Sequence, residues 1–330
     1  MQDSSNDSRI TNYIELISPI NAILPVTSNT VSISRSEVSD IIQGRDKRLI
    51  IFVGPCSIHN ESSAIEFASR LKILQRDLPQ LLLIMRFFIQ KPRTTVGWTG
   101  FLDDPNMDGG NDIVSGLERT IKLAHIITDE IKQPICTELL GSTIEPQYIN
   151  PYLTTGFIGA RTSESQIHRN LASGVSFPIG IKNPSDGQAR VAYQGVQAAR
   201  VPRSFCGIKP NGKICAVHTT GNKDAFAVLR GSYQNGSNID KGIEELKNHE
   251  VAIVVDCAHG NSNKILDVQY DNALRVSKSA HVCGIMIESH IKSGKQKPGP
   301  NADPDISVTD PCMCWERTES LLRIIAKNQE

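Results

Sequence analysis

Leu49-Ile50-Ile51-Phe52-Val53-Gly54-Pro55-Cys56-Ser57 passes from five consecutive apolar residues into a turn that carries a thiol. An uninterrupted Val/Ile/Leu/Phe run of this length reads as a strand buried on both faces, as in a parallel sheet covered by helices. The motif recurs outward from there. Leu81 to Phe88 is a second such run, followed by Lys91-Pro92-Arg93-Thr94-Thr95, and six more follow at Pro134 to Leu139, Phe157 to Ala160, Pro178 to Ile181, Phe205 to Ile208, Val251 to Val255 and Val282 to Ile287. Segments of helical period separate them. Eight strand-helix units predict an α/β fold, a (β/α)8 TIM barrel, with a doubly wound sheet as the alternative. In a barrel, chemistry gathers where the strands end.

Between the runs, Ala64, Phe67, Ala68, Leu71, Leu74 and Leu78 fall on one side of a helix beginning after Asn60. Residues 213 to 232, around Thr219-Thr220-Gly221-Asn222, carry a further apolar alternation that predicts a β-hairpin inserted after the sixth strand, closed by Arg230. Residues 1–48 precede the barrel as an N-terminal arm for regulation or oligomerisation, and 49–330 form the catalytic barrel. In the arm, Ser34 and Glu37 have capping-box spacing ahead of Val38, Ile41 and Ile42, and Gly44 is the expected helix stop.

Composition narrows the partners. Lys+Arg and Asp+Glu balance at 35 each among 330 residues, which argues against nucleic acid and membrane surfaces, both of which select for basic excess. No apolar run approaches a membrane span, and the polar first twenty residues lack a secretion signal, so a cytoplasmic protein is expected. Eight cysteines without a C-x-x-C pair indicate neither a zinc ribbon nor a disulfide framework, and most read as reduced core residues.

Two constellations remain. Cys56, His259, Glu288 and Asp310 lie at or beyond predicted strand ends, which a barrel brings to one rim. A thiolate, an imidazole and two carboxylates can hold one divalent ion, and Mn, Fe, Co and Zn all stay open. Taken singly, each is as readily a small core residue, a satisfied imidazole or a loop carboxylate. Arg86, Lys91, Arg93, Arg161, Lys182 and Arg230 form the second set at the same ends. Guanidinium groups match phosphate in a plane and lysine adds a movable charge, whereas an isolated surface cation merely faces water.

The segments Gly54-Pro55-Cys56-Ser57-Ile58-His59, Lys91-Pro92-Arg93-Thr94-Thr95-Val96-Gly97-Trp98, Gly159-Ala160-Arg161-Thr162-Ser163-Glu164-Ser165-Gln166, Leu229-Arg230-Gly231 and Glu288-Ser289-His290 closely resemble type I 3-deoxy-D-arabino-heptulosonate 7-phosphate (DAHP) synthases. The resemblance runs from about residue 6 to residue 326 in one order. It implies a metal-dependent transferase that condenses phosphoenolpyruvate with erythrose 4-phosphate, the first step of the shikimate pathway. By resemblance, Cys56, His259, Glu288 and Asp310 bind the metal. Arg86, Lys91, Arg161, Lys182 and Arg230, with the backbone of Gly159 and Ala160, take phosphoenolpyruvate. Pro92, Arg93, Thr94 and Ser163 take erythrose 4-phosphate, and Lys91, Cys56 and His259 are the catalytic candidates.

The family's aromatic amino acid effector site is matched by Asp7, Arg9 and Ile10 in the arm and by Pro146, Leu171, Val175, Phe205, Gly207 and Val217. Gly207 leans towards tyrosine, since phenylalanine-sensitive members tend to have serine there. A homodimer or homotetramer is implied. Departures from the family pattern fall at Gly141, Pro184, Ile208-Lys209-Pro210 and Pro311-Cys312-Met313-Cys314, none of them a ligand or phosphate cation. Competing readings are a 3-deoxy-octulosonate 8-phosphate synthase, a Schiff-base aldolase using Lys91 or Lys182, and a non-catalytic amino-acid sensor.

Overall fold

The computed structural model describes residues 14–141, 145–237 and 239–329. Its strands are β1 (Leu49–Gly54), β2 (Leu81–Arg86), β3 (Ile135–Glu138), β4 (Leu153–Ile158), β5 (Ile179–Lys182), β6 (Ser204–Ile208), β7 (Ile214–His218), β8 (Ala225–Leu229), β9 (Ile253–Asp256) and β10 (Gly284–Glu288). Eight of them close in the order β1-β10-β9-β8-β5-β4-β3-β2, and every neighbouring pair is parallel. Helices follow the strands, which makes this the expected (β/α)8 barrel.

The sixth barrel strand is β8, not the predicted Phe205 to Ile208. That stretch is β6, which pairs antiparallel with β7 through a turn where the Lys209 N–H donates to the Lys213 carbonyl at 2.8 Å. The hairpin therefore precedes the sixth barrel strand, and Arg230 ends that strand instead of closing the hairpin. Burial gives the reason. Ala225-Phe226-Ala227-Val228-Leu229 is buried throughout, as a strand covered on both faces requires, whereas β6 alternates between exposed and covered positions.

Alternation along each strand divides the core in two. Ile51 and Val53 of β1 face the helix Glu61–Asp77, whose Ala64, Phe67, Ala68, Leu71 and Leu74 are buried as predicted and whose Asn60 cap accepts from the Ser63 N–H. Ile50 and Phe52 point into the barrel. There Phe52, Phe157 and Phe226 form an aromatic floor, with the Phe52 and Phe157 rings edge to face at 5.0 Å. The helix Thr30–Ile42 closes the opposite end by adding Val38 and Ile41 to this interior cluster.

That helix begins at Thr30 after an Asn29 cap, so Ser34 is not the predicted capping residue. It is buried mid-helix, 2.7 Å from the Thr154 hydroxyl, because its face packs on the barrel. Gly44 does stop the helix, at φ +73°. Of the eight cysteines, all free, only Cys56, Cys136, Cys257 and Cys312 are buried, because the hairpin strands and loops that carry others are partly open. Among the described residues no helix is long and apolar enough to cross a membrane.

Candidate active site

The inward face that carries apolar residues low in the barrel carries charge at its top. Ile84 is followed two residues later by Arg86, Val254 by Asp256 and Met286 by Glu288, so each pair shares one side of its strand. All three charged groups are essentially buried. The Arg86 guanidinium lies 3.9 Å from the Phe88 ring centroid and donates to Glu288 Oε1 at 2.9 Å. Burial lowers a guanidinium's affinity for its proton, but Glu288 and Cys56 outweigh it, and Arg86 titrates above its ordinary value.

The donor atoms of Cys56, Glu288 and Asp310 lie within 4.8 Å of one another. His259 joins them through Nε2, 3.5 Å from Glu288 Oε1, while its Nδ1 is held by Asp256 at 2.9 Å. All four predicted donors therefore meet on one rim. An imidazole whose far nitrogen is fixed by a buried carboxylate is the arrangement by which proteins orient a metal-binding histidine, so the set fits a divalent ion. Burial and then Glu288 push the Cys56 thiol up to about 11, against the pull of Lys91. Binding an ion there displaces the thiol proton. Burial opposes ionisation of Asp310 and Asp256 as well. Lys91, His259 and Lys264 overcome it at Asp310, and His259, Lys182 and Arg86 at Asp256, leaving both carboxyls below their usual range.

Above this set opens a cleft of about 380 Å³, walled by Lys91, Arg93, Arg161, Lys182 and Arg230 among others. Lys91 Nζ donates to Cys56 Sγ at 3.2 Å and to its carbonyl at 3.0 Å, and burial is outweighed by Cys56 and Glu288, which raises its affinity for a proton. Lys182 is buried between Asp256 at 3.2 Å and Glu138 at 3.8 Å. Arg161 donates to Thr94 Oγ1 at 3.0 and 3.1 Å, which ties the two predicted substrate segments together. Pro92 and Ala160 also line the cleft. Glu138 fills the space that a side chain at Gly159 would need.

Arg86, Gly159 and Ser163 do not line the cleft. Arg86 and Ser163 are buried, and the Ser163 hydroxyl donates to the Ala160 carbonyl at 3.3 Å. The sequence reading also passed over four residues. Asp256 stands three positions before His259, a spacing that could have revealed it. Glu138 ends β3, and that strand-end place was its signal; Tyr233 and Lys264 had none, because the folded loops alone bring them to the cleft. Pro184 sits buried next to Asn183, whose Oδ1 accepts from the Arg230 N–H at 2.7 Å, and the Lys182 ion pairs stand beside it.

A second cavity, about 310 Å³, lies on the outside between the hairpin and the helix Gln166–Gly174. Pro146, Leu171, Val175, Phe205 and Val217 line it. A Cβ on Gly207 would stand 2.6 Å from Val217 Cγ2. Asp7, Arg9 and Ile10 lie outside the described residues.

A barrel rim that joins soft and hard donors to a cleft of converging cations defines a metal-assisted enzyme acting on phosphate-bearing substrates. The profile of the DAHP synthetase I family matches residues 24–323. A phenylalanine-inhibited phospho-2-dehydro-3-deoxyheptonate aldolase of Saccharomyces cerevisiae is 40% identical over 324 residues, covering 89% of this chain and 84% of that protein. The Tyr-sensitive enzyme of Escherichia coli is 38% identical, covering 98% and 96%. A solved phospho-2-dehydro-3-deoxyheptonate aldolase of Francisella tularensis superposes with a TM-score of 0.91 at 36% identity, covering 97% and 98%. The chain belongs to the DAHP synthetase I family. It is a transferase that joins phosphoenolpyruvate to erythrose 4-phosphate, giving DAHP and phosphate at the first step of the shikimate pathway.

Proposed function

We propose that the rim of the barrel is where this condensation takes place, with Cys56, His259, Glu288 and Asp310 as ligands of one divalent ion. The meeting of these four residues, remote in sequence, beside a cationic cleft carries the reading. Mn, Fe, Co and Zn all suit such a mixed donor set. The bound ion supplies Lewis acidity towards the aldehyde oxygen. Arg86, Lys91, Arg161, Lys182 and Arg230, with the backbone of Gly159 and Ala160, hold phosphoenolpyruvate. Pro92, Arg93 and Thr94 take erythrose 4-phosphate. Ser163 acts there through the loop it braces, since its hydroxyl is turned to Ala160.

The side chains then have defined work. C3 of phosphoenolpyruvate attacks the aldehyde carbon, so negative charge grows on the aldehyde oxygen while C2 becomes cationic. Lys91, held charged beside Cys56, donates a proton or hydrogen bond to that oxygen. Water adds at C2 and phosphate leaves by C–O cleavage. Two polyanions repel unless cations stand between them, which accounts for more positive groups than one phosphate needs.

The outer cavity is the proposed site of an aromatic amino acid effector, with Asp7 of the arm. Its apolar walls suit a ring, and relatives are named for inhibition by tyrosine or phenylalanine. By the family resemblance Gly207 leans towards tyrosine, and a side chain there would crowd Val217. A cytoplasmic homodimer or homotetramer, with residues 1–48 as the regulatory arm and 49–330 as the catalytic barrel, completes the proposal. Exposed Ile14, Leu16 and Ile17 support an intersubunit role for the arm. The test is to assay metal-stripped enzyme after adding each metal, with and without each aromatic amino acid. Heptulosonate phosphate should form only with metal, and tyrosine should slow it. Full turnover in the presence of EDTA would contradict the assignment.

A further inference from the structure

The loops after β8 and β9 are fastened together. Gly231 and Gly260 meet backbone to backbone, leaving no room for a Cβ on either, and the Asn261 N–H donates to the Arg230 carbonyl at 3.0 Å. Tyr233 rises from the first of these loops on a closed turn. The Ser232 N–H donates to the Gly236 carbonyl at 3.0 Å, and the Ser232 hydroxyl accepts from the N–H groups of Gln234 and Asn235 at 3.1 and 3.2 Å. Asn235 Nδ2 donates to the Asp186 carbonyl at 3.1 Å, which anchors the turn to the loop after β5. A braced turn thus presents an aromatic ring to the cleft.

Two cations approach that ring. The Arg230 guanidinium is 5.2 Å from its centroid and Lys264 Nζ is 5.3 Å away. Lys264 Nζ also contacts Asp310 Oδ1 at 2.7 Å, so this ammonium has two partners, a carboxylate and a π face. A divalent ion on Asp310 repels an ammonium paired with the same carboxylate, and partial burial strengthens the repulsion. The ammonium stands at both partners at once, so the ring still holds it when the carboxylate turns to an ion.

The geometry points to Tyr233 as a positioning residue that steadies Arg230 towards phosphoenolpyruvate and keeps a partner for Lys264 when Asp310 turns to the metal, which eases release of that carboxylate. This rests on the roles given above to Arg230 and Asp310. Tyr233→Leu keeps apolar bulk and removes the ring, at a half-exposed position where the fold tolerates change. Calorimetric titration of the intact, metal-stripped chain with Co2+ should show metal binding weakened about three- to tenfold. The KM for phosphoenolpyruvate should rise by a similar factor while that for erythrose 4-phosphate stays put. Tyr233→Phe should rescue both constants. In a Lys264→Met background, where the competitor is gone, Tyr233→Leu should leave the metal Kd where Lys264→Met alone sets it.

Unchanged constants in Tyr233→Leu, a Phe variant as impaired as the Leu variant, or an effect on the metal Kd that persists without Lys264 would each overturn the role. Arg230→Ala and Asp310→Asn separate it from the underlying assignments. If Arg230→Ala spares the KM for phosphoenolpyruvate, or Asp310→Asn spares the metal Kd, the assignment itself fails. If both act while Tyr233→Leu is silent, only the positioning role falls.

Discussion

Ile84 and Arg86 stand two residues apart on β2, on the same side of the strand, and both are fully buried. Around Ile84 are the apolar side chains of the barrel interior, including Phe52 and Phe157. Arg86 instead meets Glu288, the Cys56 and Pro55 carbonyls and a ring face. One layer gains stability by removing hydrocarbon from water. The layer above it sets ions in the same dry surroundings, where a lone charge costs several kcal/mol and only a full set of partners compensates. The lower layer holds the barrel closed so that the upper layer can keep charges ready for an ion and two phosphates.

Substitutions should separate the two layers by what they damage. Cys56→Ala or His259→Ala should abolish turnover while the thermal melt of the metal-free protein stays near that of the parent; a Cys56→Ala enzyme with near-normal kcat would break the metal assignment. Arg86→Met should injure both layers, since it strips a phosphate cation and leaves Glu288 short of its closest cation. Denaturant unfolding should show a loss of about 3–5 kcal/mol, and turnover should fall as well. Phe157→Ala should cost about 3–5 kcal/mol in the same unfolding measurement. The KM values of whatever remains folded should be near those of the parent, and a shifted KM would mean that floor and rim are not separable. Arg161→Ala should raise the KM for phosphoenolpyruvate about 10- to 100-fold, by loss of a charged hydrogen-bonding partner, with the melt unmoved. An effect on erythrose 4-phosphate alone would exchange the two phosphate assignments.

The same division explains what could be read from the chain. Strands of the lower layer announce themselves as apolar runs, and the residues that follow them are the candidates for chemistry, which is how Cys56, Arg86, Lys182 and Glu288 were found. The rule failed at the sixth strand because short apolar runs do not state their partner. Phe205 to Ile208 and Ala225 to Leu229 look alike until burial shows that only the second is covered on both faces. Ser34 misled for a related reason, since capping spacing cannot tell a helix start from a buried serine facing Thr154. Asp256 carries its clue in the three-residue step to His259. Tyr233 and Lys264 carry none, for they reach the cleft through the clasp between two loops.

The ligand set can be tested most directly by replacing the native ion with cobalt. The absorption spectrum of the Co2+-loaded chain should show one ion per chain and a near-ultraviolet thiolate-to-cobalt charge-transfer band that disappears in Cys56→Ser. A band that survives this substitution, or a wild-type chain that binds cobalt without one, would contradict the placing of Cys56 at the centre of the site.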